Sequence, residues 1–246
     1  MLTKRFLERI HLENTTIDLK HMPIILRHIA KYIPFENLDV MDKTTKPLSL
    51  ETITEKLLTN RRGGLCYEIN TLLFEVLREN HLNVKLISAV IYEETRQAFS
   101  KTGYTHTVIL LEDQGHAYLI DAGFGNNIPL IPVPLDGQVV SSTNGEYKII
   151  DDELYMKRSY RDEQFKLAYR FKRESITWNQ LRISQQIIEQ SEDSMFNKRA
   201  LLTKCTEDGT VTLSENNLVI MKNGEKNNRV LTDVEKQQAK KDYFYQ

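Results

Sequence analysis

The chain has 246 residues, 40% of them hydrophobic and 27% charged, with a formal net charge of -1 at pH 7. That length buries a sizeable core without covalent staples and suits two or three packed units, and the balance excludes an intrinsically disordered chain. A near-neutral charge leaves no electrostatic footprint for nucleic acid or an anionic membrane, so neither is expected as a partner.

Met1-Leu2-Thr3-Lys4-Arg5 opens a charged amphipathic stretch without the apolar core of a signal peptide, and no run nears the ~18 apolar residues of a membrane span, so a cytoplasmic protein is expected. Leu19, Met22, Leu26, Ile29 and Ile33 recur at helical spacing with Pro23 near the start, and Leu50, Ile53 and Leu57 follow a Ser49 cap. Ile69, Leu72, Leu73, Val76 and Leu77 form a third stripe, opened at Cys66 and closed by Asn80. From Val84 to Tyr92 the pattern becomes a strand buried on much of both faces. Strands are then predicted over His106–Leu111, His116–Asp121, Tyr147–Ile150 and Phe165–Phe171, with Asp136-Gly137 and Asn144-Gly145 as turns; their number suggests a barrel or a sandwich. A helix carrying Trp178, Leu181, Ile187 and Ile188 follows, then short strands around Asp208-Gly209 and Asn223-Gly224. Thr232-Asp233-Val234-Glu235 has the capping-box form of a last helix start.

Cys66 stands in the first turn of its helix, after Arg61-Arg62-Gly63-Gly64-Leu65. The positive end of the helix dipole and two arginines favour a thiolate there. Gly63 and Gly64, lacking Cβ atoms, are expected to leave room for a ligand beside the backbone. Position alone leaves two readings, a reactive thiol or a small buried apolar residue. Cys205, in an apolar segment with no such setting, reads as structural. Neither cysteine belongs to a C-x-x-C pair, and no metal is expected.

A nucleophilic thiol needs a base, itself oriented by a third group. His11, His21, His28 and His81 lie in polar or amphipathic helical surroundings and His116 at a turn, which leaves His106. A turn centred on Asp113-Gln114 sets a register in which facing positions sum to 227, placing His106 directly opposite Asp121 and His116 opposite Leu111. Asp121 then holds an imidazole N–H. Asn70, one helical turn beyond Cys66 on the same face, either reaches the His–Asp pair or is an ordinary polar position. Asp121-Ala122-Gly123-Phe124-Gly125 is a weak candidate for a phosphate loop, since no helix follows it.

These residues resemble the arylamine N-acetyltransferase family. Ile33-Pro34-Phe35-Glu36-Asn37-Leu38 is similar to its I-P-F-E-N-L box, Arg62-Gly63-Gly64-Leu65-Cys66 to its R-G-G-x-C motif, Thr105-His106 to its histidine strand, and Asp121-Ala122-Gly123-Phe124-Gly125 to its D-x-G-F-G loop. The resemblance covers residues 1 to about 135 well. Within it, Pro129, Pro132, Pro134 and Leu135 are similar to the proline-rich crossing after that loop; beyond it, Ser191-Glu192-Asp193-Ser194-Met195-Phe196 is similar to the family's S-x-x-S-x-F entry to its third domain, on a chain shorter than most members.

The resemblance implies an α+β multidomain fold with a cysteine-protease-like Cys-His-Asp core: a helical bundle over 1–83, a β-barrel over 84–185 and an α/β lid over 186–246. It implies Cys66 as nucleophile, His106 as base and Asp121 as its orienter, with a Glu36–Arg62 ion pair supporting the nucleophile loop. Phe124 and Gly125, with Phe35 as a facing apolar wall, would receive the substrate. Acetyl-CoA would be the donor and a small aromatic amine or hydrazine the acceptor, in a ping-pong reaction through an acetyl-cysteine. The same triad also suits amide synthase-type acyl transfer, a cysteine hydrolase, a transglutaminase-like enzyme or a non-catalytic binder.

Overall fold

In the computed structural model, which describes residues 1–245, helices dominate the first 80 positions as the periodicity predicts. They are α1 (Leu2–Arg9), α2 (Met22–Tyr32), α3 (Leu38–Asp42), α4 (Leu50–Thr54) and α5 (Cys66–Glu79), with a π-helical turn over Glu55–Thr59 continuing α4. Pro23 falls in the first turn of α2, where its missing N–H would have had no intrahelical acceptor. Ser49 caps α4: its Oγ accepts from Thr52 N at 3.1 Å, and Thr52 Oγ1 accepts from Ser49 N at 3.0 Å. The helical periodicity conceals one strand, β1 (Phe35–Glu36), only two residues long and so without a pattern to read.

The next strands are β2 (Asn83–Glu93), β3 (Ala98–Phe99), β4 (His106–Asp113), β5 (His116–Ile120), β6 (Val133–Pro134), β7 (Val140–Ser142), β8 (Gly145–Ile150), β9 (Glu153–Arg158) and β10 (Lys166–Ser175). All but β3, which pairs with β2 alone, join one antiparallel sheet in the order β6-β5-β4-β2-β10-β9-β8-β7. β6 returns to touch β8, so the sheet nearly closes, a barrel rather than a sandwich. The two faces of β2 and β4 serve different cores. Leu86, Ile109 and Leu111 pack with Leu72, Leu73 and Val76 of α5, while Ile87, Val108 and Leu110 point into the barrel with Tyr147 and Tyr169. This double burial explains the near-continuous apolar character of both strands.

The chain continues through α6 (Trp178–Gln190), β11 (Leu201–Cys205), β12 (Gly209–Ser214), β13 (Asn217–Lys222), β14 (Glu225–Val230) and α7 (Asp233–Tyr243). The Thr232 cap is present, its Oγ1 accepting from Glu235 N while Glu235 accepts from Thr232 N. Two features tie the expected units together. α6 runs unbroken through 185/186 and adds Leu181 and Ile188 to the helical core. β1 leaves the helical segment to pair with β11, Phe35 opposite Thr203 and Glu36 opposite Leu202, on the edge of the last sheet. Among the described residues no helix is long and apolar enough to cross a membrane.

Candidate active site

Cys66 is the first residue of α5, and Leu65 before it is extended (φ -90°, ψ 174°). Glu68 Oε2 accepts from Leu65 N at 2.8 Å, which fixes the entry of the chain. The first-turn N–H groups of Cys66 and Tyr67 have no intrahelical acceptor and face outward from the helix start. The thiol is 4% exposed, with Sγ 4.0 Å from Thr105 O.

His106 Nε2 lies 2.7 Å from Asp121 Oδ2, but by a register different from the expected one. β4 and β5 pair Asp113 with His116 and Ile109 with Ile120, a sum of 229. The turn is Gln114-Gly115 (φ 47° and 81°), whose two positive φ values match the twist of a tight hairpin, instead of Asp113-Gln114. His116 consequently faces Asp113, not Leu111, and is exposed. His106 and Asp121 are diagonal neighbours, not directly opposed ones. A shift of two residues preserves the face, so both side chains still point to the barrel interior, within reach of each other.

Four donors converge on the Asp121 carboxylate, which is fully buried. Oδ2 accepts from His106 and from Tyr169 OH at 3.1 Å; Oδ1 accepts from Asn70 Nδ2 at 2.9 Å and Gly123 N at 2.8 Å. Asn70 also donates to Thr107 O at 2.6 Å and accepts from Ala122 N at 2.8 Å, so it ties α5, β4 and the loop after β5 together. Burial opposes the charge on Asp121, yet His106 and these donors hold its carboxyl below the usual range. Burial likewise opposes protonation of His106, but Asp121 and then Cys66 outweigh it and push the imidazole up to about 10. With Nε2 committed to Asp121, Nδ1 is the ring nitrogen left for Cys66. The geometry suits an imidazolium held by a carboxylate beside a sulfur nucleophile.

The glycines before Cys66 face the protein itself and not open space. Neither lines the cavity beside the thiol. A Cβ on Gly63 would stand 2.0 Å from Pro34 O, and one on Gly64 2.8 Å from Glu68 Oε2, so both allow close packing within the protein. Gly64 N donates to Pro34 O and Glu36 N to Gly64 O, binding the nucleophile loop to β1. It is Gly123 that lies against the nucleophile: a Cβ there would be 2.7 Å from Cys66 Cα.

Behind this loop, Arg62 pairs with Glu36 at 2.7 Å and Asp39 at 2.5 Å, and Lys56 with Glu68 at 2.8 Å and Asp39 at 3.0 Å. Glu36 is fully buried, and desolvation raises its carboxyl pKa despite the nearby Lys56 and Arg62. Arg62 is held strongly protonated, as Glu36 and Asp39 outweigh its burial.

A cavity of about 380 Å³ opens on Cys66 and His106. Phe35, Phe124 and Gly125 line it, joined by Ile91, Met195, Phe196 and the polar Asn126, Thr203 and Thr212. Phe35 meets Phe196 edge-on at 5.6 Å, and Phe124 lies tilted 5.3 Å from His106 and edge-on 5.2 Å from Tyr169. Tyr169, the residue sequence reasoning passed over, had only one signal, its inward place in an alternating strand. Cys205 is buried away from this cavity with Ala30, Ile128 and Leu130, and burial pushes its thiol up to about 12. Among the described residues no cluster of three or more His, Cys, Asp or Glu side chains could hold a metal ion.

Residues 18–245 match the family model described as N-acetyltransferase. The acetyltransferase YvcN of Bacillus subtilis is 33% identical over 221 residues, covering 88% of this chain and 87% of that protein. The crystal structure of an arylamine N-acetyltransferase from Bacillus cereus, with a Cys-His-Glu catalytic triad, superimposes with a TM-score of 0.93 at 33% identity, over 99% of this chain and 97% of its own. The Mycobacterium marinum arylamine N-acetyltransferase in complex with CoA gives a TM-score of 0.87 at 26% identity, over 98% and 92%. With the family model spanning nearly the whole chain, this protein belongs to the arylamine N-acetyltransferase family.

Proposed function

We propose that the protein transfers an acetyl group from acetyl-CoA to the nitrogen of an arylamine, arylhydrazine or related amine, through an acetyl-Cys66 intermediate. The observation that carries this reading is the buried thiol at a helix start, set against the His106–Asp121 pair and open to an aromatic-walled cavity. The CoA complex of the Mycobacterium marinum relative supports the donor.

The Cys66 thiolate attacks the thioester carbonyl, and the first-turn N–H groups of α5 stabilise the oxyanion. CoA leaves as its thiolate takes the proton from His106, and Cys66 becomes a thioester. His106, now neutral, takes a proton from the attacking amine as the acetyl group passes to nitrogen, which restores the starting pair. Two half-reactions sharing one acyl carrier make the kinetics ping-pong. Arylamines suit the second half because they are unprotonated near neutral pH. Phe35, Phe124 and Gly125 would receive the ring, while Glu36, Arg62, Gly63, Gly64 and Asn70 hold the nucleophile and its partners in place. A helical unit supplies the thiol, a barrel unit the base and its orienter, and the last sheet with α7 acts as the lid.

Intact-mass measurement after mixing with acetyl-CoA tests this. A single acetyl group on Cys66, removed by an arylamine with formation of the amide, is expected, and Cys66→Ala should take up none. Acetyl release as free acetate at the same rate without amine would sink the transferase reading in favour of a hydrolase.

A further inference from the structure

Arg161, in the loop between β9 and β10, lines the same cavity as Cys66 and His106 and reaches solvent at its rim. Its guanidinium makes no hydrogen bond or ion pair with any described residue. The carboxylates on that wall are already answered: Glu93 accepts from Arg96 Nη1 at 3.1 Å, and Asp193 lies 3.5 Å from Lys101 Nζ. His106 is paired with Asp121 at 2.7 Å. Arg161 therefore sets at the mouth of the cavity a guanidinium without a direct ion-pair partner among the described residues.

The loop is held firmly on one side of this residue and touched on the other. Asp162, its side chain 1% exposed, accepts from Arg158 N at 3.1 Å, Nε at 2.5 Å and Nη2 at 2.9 Å, with Lys166 Nζ at 3.3 Å. On the other side the Tyr160 ring lies against the β13–β14 turn, so near that a Cβ on Gly224 would stand 3.0 Å from it. A backbone anchored this way reduces the ordering entropy that a charged rim residue loses on gripping a ligand. The planar guanidinium fork matches carboxylate and phosphate oxygens.

We infer that Arg161 recognises an anionic oxygen group carried by a substrate of this cavity, either a phosphate of the thioester donor or a carboxylate on the acceptor amine. The inference rests on the acyl-transfer reading above and names the charge its substrates carry. Ping-pong kinetics separate the two sources, because kcat/KM for donor and for acceptor report different half-reactions.

The test compares wild type with Arg161→Gln on acetyl-CoA against S-acetylpantetheine, which lacks phosphate, and on 4-aminobenzoate against aniline, which lacks a carboxylate. A fall of about tenfold or more is expected in one of the two preference ratios, the loss of one charge-assisted contact. A fall in the donor ratio assigns the phosphate, and one in the acceptor ratio the carboxylate. Arg161→Lys should restore part of it. Unchanged ratios on both sides overturn the inference, as does an equal loss with all four substrates, which would mark a structural role. Calorimetric binding of CoA and of 4-aminobenzoate to wild type and Arg161→Gln reads the same contact without turnover. If wild type never acetylates Cys66, the proposed function fails while these binding constants still decide Arg161, and unchanged constants overturn its role.

Discussion

Asp121→Asn exchanges one carboxylate oxygen for an amide nitrogen in a site where all four neighbours donate: His106, Tyr169, Asn70 and Gly123. Two orientations compete. With the new NH2 toward Asn70 and Gly123, two buried donors lose their acceptor, at roughly 1–3 kcal/mol each. With the NH2 toward His106 and Tyr169, the tyrosine hydroxyl turns to accept and the imidazole can present its Nε2 lone pair, so this orientation wins. The imidazole proton then sits on Nδ1, the nitrogen facing Cys66, and the lone pair needed for proton transfer points the wrong way. Loss of the charge-assisted contact should lower stability by about 1.5–3 kcal/mol. The wrong tautomer should slow Cys66 acetylation by about 10⁴-fold, or roughly 5 kcal/mol in the barrier.

The same substitution should flatten the pH profile of stability. His106 is raised from 6.5 to about 10, so its contribution is full below pH 6.5 and lost as pH climbs toward 10. Asp121 is lowered from 3.8, so its contribution is present above that value and lost on acidification. Wild type should therefore melt highest between these limits, and Asp121→Asn should lose both slopes. Stopped-flow acetylation followed by mass spectrometry, together with melting curves from pH 3 to 10, measures both effects over the window those two groups define. A variant acetylated at a rate near wild type would refute the orienting role of Asp121.

Gly123→Ala forces a Cβ to within 2.7 Å of Cys66 Cα, a backbone atom that cannot swing aside. A loss of about 1–3 kcal/mol in denaturant titration is expected, with a larger proportional loss of acetylation than of stability. Arg62→Met leaves the buried Glu36 without its closest counter-charge and should destabilise by about 3–5 kcal/mol at pH 7. Because burial already raises the Glu36 carboxyl above 4.5, the variant should be weakest at neutral pH and recover as acid protonates it; melting that is insensitive to pH would contradict this.

Much of the site was legible because it depends on local rules. The stripe from Ile69 to Leu77 and the closing Asn80 placed Cys66 in a first turn, and α5 begins there. The parity of β4 and β5 put His106 and Asp121 on one face, and parity survives any shift by two residues. The shift itself was not legible, since Asp113-Gln114 and Gln114-Gly115 are both plausible turns until strand twist favours two positive φ values.

What the sequence by itself determined is periodicity, the turn chemistry and the identities of thiol, imidazole and carboxylate, all properties of residues within a few positions of one another. Tertiary structure alone decided which groups meet across the chain. Tyr169 reaches Asp121 from 48 positions away, Asn70 bridges three elements, and Phe35 enters the last sheet as a two-residue strand opposite Thr203. It also reassigned the glycines, because a missing Cβ is silent in sequence about what fills its place: Pro34 against Gly63, Glu68 against Gly64, and the nucleophile itself against Gly123. Arg161 shows the same limit, an ordinary loop arginine until barrel closure sets it at the mouth of the Cys66 cavity.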